Sequence, residues 1–284
     1  MSLTAFNTNP ISRVAYLAPS LMAYHISATK LQNYHQCPRA YYYQYERGLV
    51  NKKSFGAPAF GRTLHKALEK FYWNWHYNEP KPPVSWMVRC WESVNGELSG
   101  ELQYEGQDIL ENYYYEFVAT LDALKKPFAV EGRISALVSF CNVEFKITGR
   151  YDRLDWLDDG LELIDYKSNK NIKIFEEEEI DLQLGLYYLA LEKTYHRALK
   201  QMSLIYLRHG EVIPFEATPA HKQEVEREIG ELAGQLRLDT EWETNPGEHC
   251  DRCTYRQYCP AVTENPEPLP ENAKQLKPLQ LNLL

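Results

Sequence analysis

Hydrophobic and polar positions divide the chain into stretches of period near 3.6 and stretches of period two, and the elements follow from that division. Ser27 reads as the N-cap of a short helix through Tyr34, and Cys37-Pro38 opens a second, since proline is tolerated in a first turn. Ala59 to Tyr77 carries a buried stripe of Phe60, Leu64, Leu68 and Phe71 or Tyr72 at helical spacing, with His65 beside the stripe. Helices are also expected at Val84 to Glu97 and Gln107 to Lys125, with Pro127 ending the second. Phe128 to Phe140 reads as a strand. After the next strands, Glu176 to Glu179 suit the positive end of a helix running to His196. Met202 to Leu207, a turn at His209-Gly210 and Val212 to Phe215 form a hairpin. Thr218-Pro219 then caps a helix to Leu238.

The most informative alternation is in Gly149 to Lys170. Tyr151, Arg153, Asp155 and Leu157 lead into the turn-forming run Asp158-Asp159-Gly160, and Leu161, Leu163, Ile164 and Tyr166 resume a strand. A two-residue loop at Asp158-Asp159 sets Leu157 opposite Gly160 and Asp152 opposite Asp165. A loop at Asp159-Gly160 sets Asp152 opposite Lys167 instead. Both registers bring Asp152, Asp165 and Lys167 onto one face, whereas Asp155 falls on the other. Paired carboxylates on rigid strands bind hard divalent cations such as magnesium or manganese. Such an ion activates water and neutralises charge on a phosphodiester, and Lys167 is placed to orient or deprotonate that water or to hold the phosphate. A charged, solvated hairpin face is the plainer alternative. Glu131, on the preceding strand, is within reach of the same ion or of a salt bridge.

Helices, then strands, a helix, strands and a helix describe an α/β fold: a central mixed sheet flanked by helices, with a helical N-terminal elaboration. Residues 1 to 25 look like a loose arm, 26 to 260 like one folded unit, and the Pro- and Asn-rich 261 to 284 like a tail in which Leu279, Leu281, Leu283 and Leu284 could dock. The 284 residues, 44% of them hydrophobic, suffice for one substantial domain.

Charge changes this picture locally. The net charge of −8 argues against a generally basic nucleic-acid coat. Yet Ile26 to Lys70 holds Lys30, Arg39, Arg47, Lys52, Lys53, Arg62, Lys66 and Lys70 against only Glu46 and Glu69. A polyanion is expected to approach from these N-terminal helices. No apolar run of about 18 residues and no signal-peptide pattern stand out, so a cytoplasmic protein with reduced thiols and no membrane partner is expected. The absence of a G-x-x-x-x-G-K-[ST] loop argues against an intrinsic ATP-driven motor.

Cys250, Cys253 and Cys259 stand at C-x2-C-x5-C spacing, followed by Pro260. Three soft ligands in one loop call for a fourth, and Cys37 is the candidate. The spacing serves an iron-sulfur cluster or a structural zinc equally, the zinc also with His249 in place of Cys37. Either clip closes a loop of over two hundred residues and restricts the unfolded chain. Cys90 and Cys141 read as small buried hydrophobes.

Taken in order, Cys37-Pro38 in an aromatic helical segment, Gly61-x3-His65, Gly149-x2-Asp152-Arg153-x-Asp155, Asp165-Tyr166-Lys167, Gln183-x3-Tyr187 and C-x2-C-x5-C-P resemble the PD-(D/E)XK nuclease superfamily. The resemblance is to its RecB-like, iron-sulfur branch, which includes the AddB nuclease domain and the CRISPR adaptation nucleases. It implies a restriction-endonuclease-like core whose N-terminal helices are tied to a C-terminal iron-sulfur loop. It implies magnesium or manganese on His65, Asp152, Asp165 and the Tyr166 carbonyl, with Lys167 catalytic alongside Asp152 and Asp165. Gln183 and Tyr187 are implied to contact substrate or support the site, and Cys37, Cys250, Cys253 and Cys259 to hold a [4Fe-4S] cluster. The expected activity is a deoxyribonuclease, an exonuclease on single-stranded ends acting in repair, recombination or CRISPR adaptation, with a separate helicase or adaptation protein as partner. A non-catalytic DNA-binding scaffold and a zinc-stabilised binding protein are the competing expectations.

Overall fold

The computed structural model describes residues 23–49, 57–140, 143–174 and 181–275. The expectations for Cys141, for Glu176 to Glu179 and for the four C-terminal leucines lie outside these residues. Strand β1 (Tyr24–Ile26) leads into helix α1 (Ala28–Gln36), which Ser27 caps by accepting from the Lys30 N–H at 3.3 Å. Helix α2 (Pro38–Tyr41) continues into a π-helical turn over Tyr42–Glu46. Three longer helices follow: α3 (Ala57–Trp73), α4 (Val84–Glu92) and α5 (Gly100–Phe117). The last is displaced toward the N-terminus from its expected span. The chain leaves it early, and the Leu124 N–H donates to the Pro80 carbonyl at 2.6 Å. Gly106, which weakens a helix on propensity, is there because any Cβ would meet the Trp91 ring at 2.2 Å.

The strands are β2 (Ala129–Val130), β3 (Arg133–Phe140), β4 (Val143–Arg150), β5 (Arg153–Leu157), β6 (Gly160–Lys167), β7 (Leu199–Tyr206) and β8 (Glu211–Glu216). Helix α6 (Leu182–Tyr195) begins at the N-cap Asp181, whose carboxylate accepts from the Gln183 and Leu184 N–H groups. Helix α7 (Pro219–Leu238) has the expected Thr218 cap.

The expected central sheet is realised as two, β1-β4-β3 and β2-β5-β6-β7-β8, with β1/β4 and β6/β7 parallel and the other pairs antiparallel. They are two halves of one long ladder. Arg133 opposes Arg150 below the break and Val130 opposes Arg153 above it, so the pairing keeps one register through Gly132/Tyr151 and Glu131/Asp152. Across the break the Tyr151 N–H donates to the Gly132 carbonyl and the Glu131 N–H to the Asp152 carbonyl. Glu131 has φ +52°, a left-handed conformation that interrupts the strand expected from Phe128 to Phe140. The crease therefore sits where Asp152 stands.

The β5/β6 hairpin takes the first of the two expected registers, with Leu157 opposite Gly160 and Arg153 opposite Ile164. Alternation then sorts the sheet into two cores. Leu154, Leu161, Leu163 and Leu204 pack with β3, β4, α1, α6 and α7. Ile164, Tyr166, Ile205 and Leu207 pack with α3, α4 and α5. A third, small cluster joins Tyr43, Leu49 and Tyr255, and Leu269 and Ala273 of the C-terminal segment pack on it.

Candidate active site

The crease makes Asp152 a meeting point of both layers. Its Oδ2 accepts the Tyr166 N–H at 2.7 Å, so the carboxylate caps the edge of β6 just before β5 begins. Its Oδ1 lies 3.0 Å from His65 Nδ1 on α3. Helix α3 can come this close because position 61 is glycine; a Cβ there would stand 2.6 Å from the Ser168 hydroxyl, just beyond β6. Glu131, opposite Asp152 across the crease, completes a group of three whose ligand atoms all lie within 4.8 Å of one another.

On β6, Asp165 Oδ2 pairs with Lys167 Nζ at 2.8 Å, and Gln183 from α6 donates to Asp165 Oδ1 at 2.5 Å. Lys167 also donates to Gln183 Oε1 at 3.3 Å. Alternation thus brings Asp165 and Lys167 to one face as expected. Tyr187, one turn on, donates to the Arg150 carbonyl at 2.7 Å and packs over Gly149, where a Cβ would meet its ring at 2.5 Å. It braces the strand leading into Asp152. Gln183 and Tyr187, like Asp165 and Lys167, lie behind the residues that line the open cleft, which include His65, Glu131 and Asp152.

The acids crowd one another. Burial pushes the Asp165 carboxyl up to about 6, with Lys167 opposing and Asp152 adding to the rise. Burial, then the charge of Asp152, pushes Glu131 up to about 7 despite Arg150, whose Nε lies 2.5 Å from Glu131 Oε2. His65 is disfavoured as a cation by burial, but the hydrogen bond and charge of Asp152 carry its pKa above the ordinary value. Burial likewise opposes the charge on Lys167, yet Asp165 and Asp181 hold its pKa above the usual lysine range. Excess negative charge with one retained ammonium is an arrangement that a divalent cation would relieve.

The site opens into a cleft of about 1030 Å³ that runs along one face of α3. Arg62, one turn before His65, and Lys66, directly after it, line it with Arg150, Lys170 and Arg208. Arg62, Lys66 and Lys170 have no ion-pair partner among the described residues. Arg208 is fixed by Glu105 and by its Nε donating to the Ser168 carbonyl at 2.8 Å. The N-terminal concentration of basic residues thus includes two that reach the cleft.

Sequence reasoning leaves Glu131 undecided and does not single out Asp181 or Arg208. A signal for Glu131 exists: two alternating strands stand in sequence there, and with Phe140 opposite Val143 counting outward sets 131 opposite 152. Arg208 offers no such signal, because its position depends on the parallel β6/β7 pairing.

At the far end of the molecule, Cys250 lies in the 3₁₀ turn Glu248–Arg252, Cys253 and Cys259 cap the ends of that turn and of a second, Arg256–Tyr258, and the loop meets Cys37 at the start of α2. Burial raises the Cys253 thiol, and the neighbouring Cys37, Cys250 and Cys259 raise it further. The loop is docked by the Tyr43 hydroxyl donating to the Tyr258 carbonyl at 2.6 Å and by Tyr255 donating to the Leu49 carbonyl at 3.3 Å. Cys90, on α4, is buried as expected.

Among the described residues no helix is long and apolar enough to cross a membrane. In comparison with known proteins, this chain is 27% identical over 207 residues to AddB, a subunit of the ATP-dependent helicase/deoxyribonuclease of Clostridium acetobutylicum, covering 58% of this chain and 17% of that protein. It is 25% identical over 255 residues to the protein of the same name from Clostridium botulinum, covering 72% and 21%. The chain spans about a fifth of the length of these curated relatives. The crystal structure of SSO0001 superposes with a TM-score of 0.46 at 17% identity, over 84% of this chain and 87% of that one. The sequence profile of the PD-(D/E)XK nuclease superfamily matches residues 25–260, and with the creased sheet and the Asp152, Asp165 and Lys167 arrangement in view, this chain belongs to that superfamily.

Proposed function

We propose that this protein is a magnesium- or manganese-dependent deoxyribonuclease, acting as an exonuclease on single-stranded ends. The observation that carries the reading is the joint placement of the His65, Glu131 and Asp152 group and the Asp165–Lys167 pair beside a cleft with unpaired cations. One imidazole nitrogen and several carboxylate oxygens form a donor set that suits magnesium or manganese. To the expected ligands His65, Asp152, Asp165 and the Tyr166 carbonyl we add Glu131. When bound, such an ion supplies an acidified water and neutralises charge on the phosphodiester.

The residues themselves do the rest. Lys167 pairs with Asp165, whose charge raises its pKa against burial, and this favours orienting a water or holding a phosphate oxygen over acting as a base. Gln183 fixes both partners of that pair. Arg62, Lys66 and Lys170 neutralise backbone phosphates on the way in. Because Asp152 is buried yet lines the cleft, with Asp165 beyond it, a flexible single strand can lower a phosphate to it more readily than a rigid duplex can. The relatives' names support a DNA substrate, a setting in repair or recombination, and unwinding supplied by a helicase partner. CRISPR adaptation is the related setting.

We further propose that Cys37, Cys250, Cys253 and Cys259 hold a [4Fe-4S] cluster. Cys37, Cys250 and Cys259 are all close enough to act on the Cys253 thiol, so four soft ligands gather at one place, as a cubane core requires.

End-labelled single- and double-stranded DNA and RNA, incubated with magnesium, manganese or a chelator, test the activity. Single-stranded DNA should shorten progressively from one end with metal only. DNA left uncut under both metals refutes the reading, and preferential cutting of duplex or RNA refutes the single-stranded DNA assignment.

A further inference from the structure

Behind the proposed ligands lies a buried cation that the reaction so far does not use. Arg153 follows Asp152, so alternation turns it away from Asp165 and toward α3 and α5. Its side chain is 9% exposed. The guanidinium lies over the Tyr72 ring at 4.2 Å. One nitrogen donates to the Tyr113 hydroxyl at 2.9 Å and the Tyr166 hydroxyl at 2.7 Å, and the other meets Asp155 Oδ2 at 3.0 Å. Arg153 Nε and Asp155 Oδ1 are buried without a partner.

Packing alone does not account for this cluster. Buried ion pairs can often be replaced by apolar residues without loss of stability, and two unsatisfied polar atoms add to the cost. What the cluster does hold is Tyr166. That residue stands between Asp165 and Lys167, its N–H is taken up by Asp152 Oδ2, and its ring meets the His65 imidazole edge-on with centroids 6.0 Å apart. Tyr166 therefore touches the strand or the side chain of each of these groups, and Arg153 grips the far end of its ring.

We propose that Arg153 is a positioning residue for the divalent cation: Asp155 fixes the guanidinium, the guanidinium fixes the Tyr166 ring, and the ring and its backbone N–H set where His65 and Asp152 stand. The proposal rests on the metal-dependent reading above. It gives the Asp-Arg-x-Asp order a physical cause. The first aspartate serves the metal side of the sheet, and the arginine and second aspartate, of opposite parity, lock the sheet from behind.

Replacing Arg153 outright risks the fold, so the test uses hydroxyl deletions on its two acceptors. Tyr166→Phe and Tyr113→Phe each remove one hydroxyl bonded by the same Arg153 nitrogen, but only Tyr166 lies on the ligand-bearing strand. Manganese affinity is read by electron paramagnetic resonance titration on DNA-free protein, with melting temperature alongside. Tyr166→Phe should weaken manganese binding about 10-fold to 100-fold, as losses of outer-shell partners do, while Tyr113→Phe changes it by less than about two-fold at a similar melting temperature. Equal weakening in both variants, or unchanged affinity in Tyr166→Phe, overturns the proposal. A wild-type protein that binds no manganese overturns it together with the metal reading, whereas one that binds manganese and cuts no DNA refutes only the nuclease reading.

Discussion

The carboxylate centre and the cysteine loop both join residues far apart in the chain, His65 to Asp152 across 87 positions and Tyr43 to Tyr258 across 215, but different forces hold them. At the carboxylates the backbone does the placing. A ladder of fixed register sets Glu131 against Asp152, alternation sets Asp165 with Lys167, and each of these four has a hydrogen bond or ion pair. At the cysteines the backbone offers two short 3₁₀ turns, and the docking is done by tyrosines: the Tyr43 ring lies 5.8 Å from Tyr255 and 6.1 Å from Tyr258. A site fixed by register is formed before its ligand arrives. A loop fixed by a few rings depends more on what its thiols bind.

The strongest way to sharpen that contrast is to remove chemistry from the first centre without touching its scaffold. Asp165→Asn keeps the shape and one acceptor oxygen, giving up the charge opposite Lys167 and one of the two contacts to Gln183 and Lys167. Because burial already pushes this carboxyl up to about 6, an uncharged group costs the fold little. Asp165→Asn and Lys167→Ala should each lower the cleavage rate by on the order of 10³-fold or more, the scale of a lost acid-base or metal-binding group. Single-turnover cleavage with saturating manganese measures it. DNA binding and iron content should be unchanged, and cleavage within ten-fold of wild type in both variants would remove these residues from the chemistry.

At the second centre the same kind of substitution should act on the fold. Cys253→Ser should bleach the protein and lower its melting temperature by roughly 10–20 °C, since a clip across so long a loop stabilises by about 5 kcal/mol and each kcal/mol is worth about 2–4 °C in a chain of this size. The tyrosine contacts set the lower bound on what survives. Full iron content with an unshifted melting temperature would show that the loop is held by its rings alone.

What can be read from the sequence follows the same division. Period-two alternation and a turn of defined length determine the faces of Asp152, Asp165 and Lys167, because side-chain parity is a local property of a strand. Helix caps at Ser27 and Thr218 are equally local. The crease is not legible: nothing in Phe128 to Phe140 announces that Glu131 adopts a left-handed backbone, and Gly132 is required only because Tyr151 fills the space opposite it. Arg208 and Asp181 reach the site through the parallel β6/β7 pairing and the α6 cap, which are long-range choices. Arg153 reads as one more polar position on a strand, and its burial among Tyr72, Tyr113 and Tyr166 emerges only once α3 and α5 are packed on that face.

The smallest expected effect separates the two centres by pH. Glu131, at about 7, and Asp165, at about 6, both sit above their ordinary values, and His65 is raised as well. A group whose pKa is higher folded than unfolded stabilises fully below its unfolded value and loses that contribution as pH rises through the folded one. All three therefore act in the same direction, and metal-free protein should lose stability between about pH 4.5 and 7.5. A divalent cation needs the ligands deprotonated, so its binding tightens over the same window. Manganese should raise the melting temperature more at pH 8 than at pH 5.5, each ten-fold gain in affinity adding about 1.4 kcal/mol or about 3–6 °C. Differential scanning fluorimetry at the two pH values, with and without manganese, measures this. The difference should disappear in Glu131→Gln/Asp165→Asn and persist in Cys253→Ser, and a pH-dependent manganese shift that follows the cysteine instead would locate the metal at the wrong centre.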